Sequence, residues 1–271
     1  MRRGGAAAQR YADRIEEAGS ARSLLDEELG LLAADELDAA AQEIQAWRGR
    51  GIHLATVLDP DYPENLRGVH DRPPLIFIAG HLTVADSRAI AVIGSRQASV
   101  AGIDSAKTLT MALVESGFTV VSGLAAGVDT AAHTAALACG GRTIAVIGTG
   151  LARSYPPQNA PLQRTIAEKC AVVSQFWPDT PPSRRNFPMR NAVMSGISRG
   201  TVLVEASPRS GARIQARLAL AHGRPVFLLE SLLAQEWARK LARMPGTHIV
   251  RSAEQVSATV ERLSSTDSLI A

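Results

Sequence analysis

The chain has 271 residues, 46% of them hydrophobic and 20% charged, with a formal net charge of +3. That length suits one large α/β domain with a small addition, and no apolar stretch is long enough to cross a membrane. Cys139 and Cys170 stand apart from any Cys/His cluster and the basic N-terminus lacks an apolar core, so the expectation is a soluble, cytoplasmic protein with no zinc site and no secretory signal.

Residues 1–51 are rich in Ala, Leu, Glu and Arg and read as a helical segment, with Gly30 separating two helices and the Gly49–Gly51 stretch ending the second. Residues 52–263 form the main domain. Ile52 to Val57 and Leu75 to Ala79 are predicted strands, separated by Pro- and Asp-rich turns and a short helix through Leu66. From Ala89 strands and helices alternate. Predicted strands are Ala89–Ile93, Phe118–Val121, Arg142–Gly148, Ala171–Ser174, Thr201–Glu205, Pro225–Leu229 and His248–Val250. Predicted helices cover about 160–169, 191–198, 211–221, 232–243 and 252–263, with 176–189 a long basic loop and 264–271 a flexible tail. This alternation predicts an α/β fold with a mostly parallel sheet flanked by helices.

In such a sheet, ligands bind outside the carboxyl ends of the strands. Two small-residue turns fall there: Gly94-Ser95-Arg96, and Ser122-Gly123 leading through Ala125 and Gly127 into a helix. Glycines let a ligand approach the backbone, serines add hydroxyls, and Arg96 adds a permanent planar cation suited to phosphate. The helix N-termini beyond the turns are expected to offer N–H groups to an anion. Asp129 and His133, four residues apart on one helical face, read either as an acid–base pair or as a structural pair in which the carboxylate orients the imidazole and the nearby backbone.

Phe187, Arg190 and Asn191, preceded by Arg184 and Arg185, combine a ring with cations as single-strand binders do, since rings hold bases and guanidinium groups hold phosphates. Glu205 ends a strand that runs through Ser210 and Gly211 into a helix. Between residues 184 and 224 the arginines 184, 185, 190, 199, 209, 213, 217 and 224 face one acid, Glu205, a local imbalance that points to a polyanionic ligand more directly than the overall charge does.

These segments recur in a known order: DYP, PPLIFIAG, AVIGSR, VVSGLAAGVDTAAH, GRTIAVIGTGL, YPPQN, FPMRN, VLVEAS, SG and GRPVF, over roughly residues 52–229. The chain thereby resembles the DNA-processing protein A (DprA/Smf) family. The resemblance implies a Rossmann-like domain that binds single-stranded DNA in a basic pocket at the sheet's carboxyl edge, without catalysis, metal or cofactor. It also implies homodimerisation and loading of a RecA-type recombinase onto incoming DNA in natural transformation. On this reading Gly94, Ser95, Arg96, Ser122, Gly123, Ala125, Gly127, Phe187, Arg190, Asn191, Ser210 and Gly211 contact DNA, and Asp129, His133 and Glu205 support the pocket. Ala192 replaces a further arginine usual in the family, with Arg209 and Arg213 as candidate substitutes, and Ala212 to Ala216 replace a Ser-Leu-Thr-Ala-like helix start. The alternative class is a nucleotide sensor, or a hydrolase of nucleoside-monophosphate glycosidic bonds with Glu205 as its carboxylate.

Overall fold

The computed structural model describes residues 6–29, 33–208 and 210–267. The predicted break at Gly30, Arg209 and the last residues of the predicted tail lie outside them. Three helices open the chain, α1 (Ala6–Ala18), α2 (Ala21–Leu29) and α3 (Ala33–Arg48). The break between α1 and α2, which the composition did not signal, is made by Gly19 at φ 63 and by Ser20, whose Oγ accepts from the Arg22 and Ser23 N–H groups.

One nine-stranded sheet carries the rest. Its strands are β1 (Ile52–Thr56), β2 (Leu75–Gly80), β3 (Ala89–Ile93), β4 (Thr119–Ser122), β5 (Thr143–Val146), β6 (Ala171–Ser174), β7 (Gly200–Leu203), β8 (Val226–Leu229) and β9 (Thr247–Val250). Their order is β1-β2-β6-β5-β4-β3-β7-β8-β9. From β6 to β9 every pairing is parallel, while β1 and β2 are antiparallel additions at one side. The connecting helices are α4 (Glu64–Arg67), α5 (Val100–Glu115), α6 (Val128–Ala138), α7 (Ala160–Lys169), α8 (Asn186–Ile197), α9 (Ala212–Ala221), α10 (Glu236–Leu241) and α11 (Ala253–Asp267).

The central strands are buried on both faces, which is why they read as continuous apolar runs without alternation. Within β3, Ala89, Ala91 and Ile93 face a core shared with Leu66, Val193, Met194, Ala216 and Trp237 from α4, α8, α9 and α10. Ile90 and Val92 face the opposite layer, built with Leu109, Leu113, Ala132 and Val256 from α5, α6 and α11. A third cluster joins Phe77 and Ile166, and Trp47 of α3 meets Phe77 edge-on at 5.2 Å.

The chain builds β3 to β6 outward on one side, then returns through α8 to lay β7 against the other side of β3. That reversal is a topological switch point, where a crevice opens beyond the strand ends. Two boundaries differ from the sequence expectation. The helix expected from Asn191 begins at Asn186, so the FPMRN segment lies on its first turns rather than in a loop. The final helix continues to Asp267, past the expected start of the tail at Ser264.

Candidate functional site

A cavity of about 490 Å³ lies at the switch point. The turn after β3 contributes Gly94, Ser95 and Arg96 to its wall, and Ala125 comes from the turn after β4. The start of α8 adds Phe187, Arg190 and Asn191, and the approach to α9 adds Ser210 and Gly211. Segments up to about 115 residues apart in sequence are thus brought together because parallel strands deliver all their following turns to one edge. Met194, Ser207 and Gln97, which sequence reasoning missed, and Ala212 and Gln215, from the atypical helix start, complete much of the wall. Gln97 follows the GSR turn directly and Gln215 lies in the atypical helix start after Ser210-Gly211, so both had a positional signal.

Arg96 is exposed, and its guanidinium carbon lies 5.2 Å from the centre of the Phe187 ring. Tyr155, 41% exposed and drawn from the YPPQN segment, packs beside Phe187 with ring centres 5.5 Å apart. Gly148 makes room for this ring pair: a Cβ there would lie 2.9 Å from Phe187. The result is a cation over an aromatic step at the rim of the cavity, an arrangement in which the ring's negative face holds the cation in place.

Arg190 is used differently. It is buried, its Nη1 donates to the Val146 carbonyl at 2.8 Å, and a Cβ on Gly123 would stand 1.6 Å from that nitrogen. Gly123 is therefore glycine because a guanidinium lies flat against it. Burial pulls the Arg190 pKa down against the attraction of Asp129, and the Arg96 charge adds to the depression. Two cations share one cavity, and an anion placed between them would relieve their repulsion.

The second turn is held open by Asp129. Its Oδ2 accepts from the Gly123 N–H at 3.1 Å and the Ala125 N–H at 3.3 Å. Burial raises the Asp129 pKa, opposed by Arg190 and these hydrogen bonds. Between them Leu124 has φ 56 with its side chain fully buried, a conformation that costs energy for a branched residue. The Asn159 amide secures it by donating to the Leu124 carbonyl at 2.9 Å. Gly127, at φ 78, begins α6, and a Cβ there would meet the Ser95 carbonyl oxygen at 2.2 Å. Gly127 thus packs the second turn under the first.

Several expectations are corrected by this geometry. Ser122, Gly123 and Gly127 do not line the cavity; Ser122 is fully buried and its Oγ donates to the Val92 carbonyl. Asp129 orients the backbone of the second turn but does not hold His133. The imidazole is fully buried against Thr143, Nδ1 to Oγ1 2.7 Å, and burial with the Arg190 charge pushes its pKa down to about 3. Glu205 points away from the cavity. Its carboxylate accepts from the Ser99 N–H at 3.0 Å and from the Ser99 hydroxyl, over the first turn of α5. Gly102 leaves the space it fills.

The helix N-termini are likewise committed within the fold. The α5 start carries Glu205 and the Ser99 cap, and the first N–H of α6 donates to the Ser95 carbonyl at 3.1 Å. The basic run between 184 and 224 is not one patch. Arg199 donates to the Ser87 carbonyl and Arg224 to the Asn65 carbonyl, both far from the cavity, because a sequence run that spans a helix, a strand and another helix crosses the whole sheet. Arg213 lies over Trp237 and lines a neighbouring cavity, so it does not substitute inside this one.

Comparison with known proteins agrees with this architecture. Residues 53–261 match the family model for DNA recombination-mediator protein A. Protein Smf of Synechocystis is 40% identical over 192 residues, covering 69% of this chain and 48% of the relative. DNA processing protein DprA of Streptococcus pneumoniae is 42% identical over 174 residues, covering 64% and 61% respectively. The chain therefore spans about half to three fifths of the length of these curated relatives. The crystal structure of the S. pneumoniae protein superposes with a TM-score of 0.77 at 33% identity, covering 94% of this chain and 93% of that one. A structure of Helicobacter pylori DNA processing protein A, described for its single-stranded DNA binding mode, gives 0.67 at 25% identity over 77% and 96%. The fold, the order of its motifs and the family match converge, and the chain belongs to the DNA recombination-mediator protein A (DprA/Smf) family.

Proposed function

We propose that this protein binds single-stranded DNA non-enzymatically at the switch-point cavity. The observation that carries this reading is the pairing of exposed Arg96 with the Phe187 ring over buried Arg190. A strand presents phosphates and bases in alternation, and a cation beside an aromatic step matches both. Arg96 engages a phosphate from the solvent side, Arg190 supplies positive potential from behind, and Phe187 with Tyr155 stacks a base. Ser95, Ser210, Asn191 and Gln215 offer polar contacts to the sugar–phosphate chain. The H. pylori relative, described for binding single-stranded DNA, supports the same ligand here. Delivery of the bound strand to a RecA-type recombinase by a homodimer completes the proposal, on family membership alone.

The hydrolase alternative draws less support, because Glu205 is engaged by Ser99 and does not line the cavity, while Asp129, which does, is held by the Gly123 and Ala125 N–H groups. A labelled oligonucleotide titrated at two salt concentrations, against duplex and mononucleotide competitors, tests the reading. Binding that prefers single strands and weakens steeply with salt is the expected result, since each phosphate contact releases counterions. Competition by mononucleotide alone, with no strand binding, would replace it with the nucleotide-sensor reading.

A further inference from the structure

A second cluster lies well away from this cavity. Asp71, in the loop between α4 and β2, places Oδ1 2.8 Å from Nε2 of His222, the residue that ends α9. His70 is exposed, and its ring stands edge-on to that of His222 with centres 5.3 Å apart. One ligand-type atom from each of His70, Asp71 and His222 lies within 4.8 Å of the others. The opposite end of α9 lines the strand-binding cavity. A helix of this length puts the two sites about 15 Å apart along its axis.

We propose that His70, Asp71 and His222 bind a divalent transition cation of the zinc class, through two imidazole nitrogens and one carboxylate oxygen with a fourth position open to solvent. The donor set is the one borderline cations take from proteins, and it excludes magnesium or calcium as the preferred ion. Tetrahedral coordination at ordinary zinc bond lengths needs donor atoms about 3.3 Å apart. The His222–Asp71 pair need open only slightly to reach that spacing. His70, the exposed member, must close in.

The surroundings orient the His222 ring toward the cluster. Nδ1 of His222 lies 3.1 Å from the buried Ser195 hydroxyl of α8. With Nε2 donating to the Asp71 carboxylate, Nδ1 accepts from the Ser195 hydroxyl; a cation that displaces the Nε2 proton would leave Nδ1–H to donate to Ser195, the kind of outer-shell contact that orients metal-bound histidines. The guanidinium next in sequence, Arg72, is paired with Asp13 at 2.8 Å and with Glu16, both of α1. A bound cation would join the α4–β2 loop to the end of α9, with α8 linked through the Ser195–His222 hydrogen bond; the first turns of these two helices form the strand cavity.

The test is a Co²⁺ titration of the chelator-treated full chain, followed by visible d–d absorption, with Zn²⁺ added in competition. One saturable equivalent is expected, without thiolate charge-transfer bands and displaced by Zn²⁺. His70→Ala, at an exposed position that should not disturb folding, is expected to weaken binding at least tenfold. His222→Gln should do the same, and Ser195→Ala should weaken it less. His53→Ala, another exposed histidine, should leave it unchanged. Absence of saturable binding up to millimolar Co²⁺, binding by His70→Ala equal to wild type, or loss of binding in His53→Ala would each overturn the proposal. None of these outcomes depends on strand binding.

Discussion

The two edges of the sheet use arginine in opposite ways. At the amino edge, Arg142 donates to both oxygens of buried Asp86, at 3.0 and 2.8 Å, while the Thr119 hydroxyl and the Thr83 N–H complete the same carboxylate. Hydrogen bonding to Asp86 raises the Arg142 pKa, and the charges there are consumed within the fold. At the carboxyl edge, Arg96 meets a ring rather than a carboxylate, and Arg190 stands buried beside a cavity with its pKa pulled down. Both edges carry arginines next to strand ends. The difference is the direct partner: a carboxylate for Arg142, a ring for Arg96 and a carbonyl for Arg190.

That contrast can be broken from either side. The largest effect is expected from Arg142→Ala, which leaves Asp86 buried without its cation. Stability should fall by roughly 3 kcal/mol, the lower end of the range for a broken buried pair because Arg142 keeps some contact with water. Strand affinity of the folded fraction should not change. Urea denaturation and oligonucleotide titration measure the two independently.

His133 lies between the edges, and its effect depends on pH. Its folded pKa, about 3, is below the unfolded value of 6.5, so the unfolded chain binds the extra proton between those values. The stabilisation is fully present above the unfolded value and is lost as pH falls through the window, by about 2 kcal/mol from pH 7 to pH 5. His133→Gln should remove that slope. Taking the difference between the two proteins isolates the imidazole, because Asp129, with its raised pKa, titrates in the opposite sense.

Arg96→Ala should give the mirror image of Arg142→Ala. Stability stays within about 0.5 kcal/mol, as for other exposed positions. Strand affinity drops about tenfold, and the salt slope becomes shallower by about one. The smallest change is expected from Phe187→Ala, a loss of about 1 kcal/mol of binding that is the same at every salt concentration, because stacking releases no counterions. An Arg96→Ala protein with wild-type affinity and slope would remove the carboxyl-edge site assignment.

Much of the fold was legible because parallel strands buried on both faces leave unbroken apolar runs, and small residues mark where each ends. The turns at Gly94 and Ser122 were found by that signal alone. The start of α8 was not, because Pro188 and the preceding prolines imitate a loop, although proline is compatible with a helix's first turn. The role of Glu205 was also hidden. Its partner Ser99 is 106 positions away, and nothing local announces that a carboxylate will cover another helix's first turn.

The sequence by itself determined the strand–helix alternation, the small-residue turns and the presence of Arg96, since these follow from local periodicity and backbone freedom. Only the tertiary structure decided which charges face the cavity. It set Arg190 against Gly123, sent Arg199 and Arg224 to hold carbonyls elsewhere, and gave Glu205 to Ser99. The physical reason is that the worth of a charge depends on its nearest partner and its exposure, and both are fixed by packing between segments far apart in the chain.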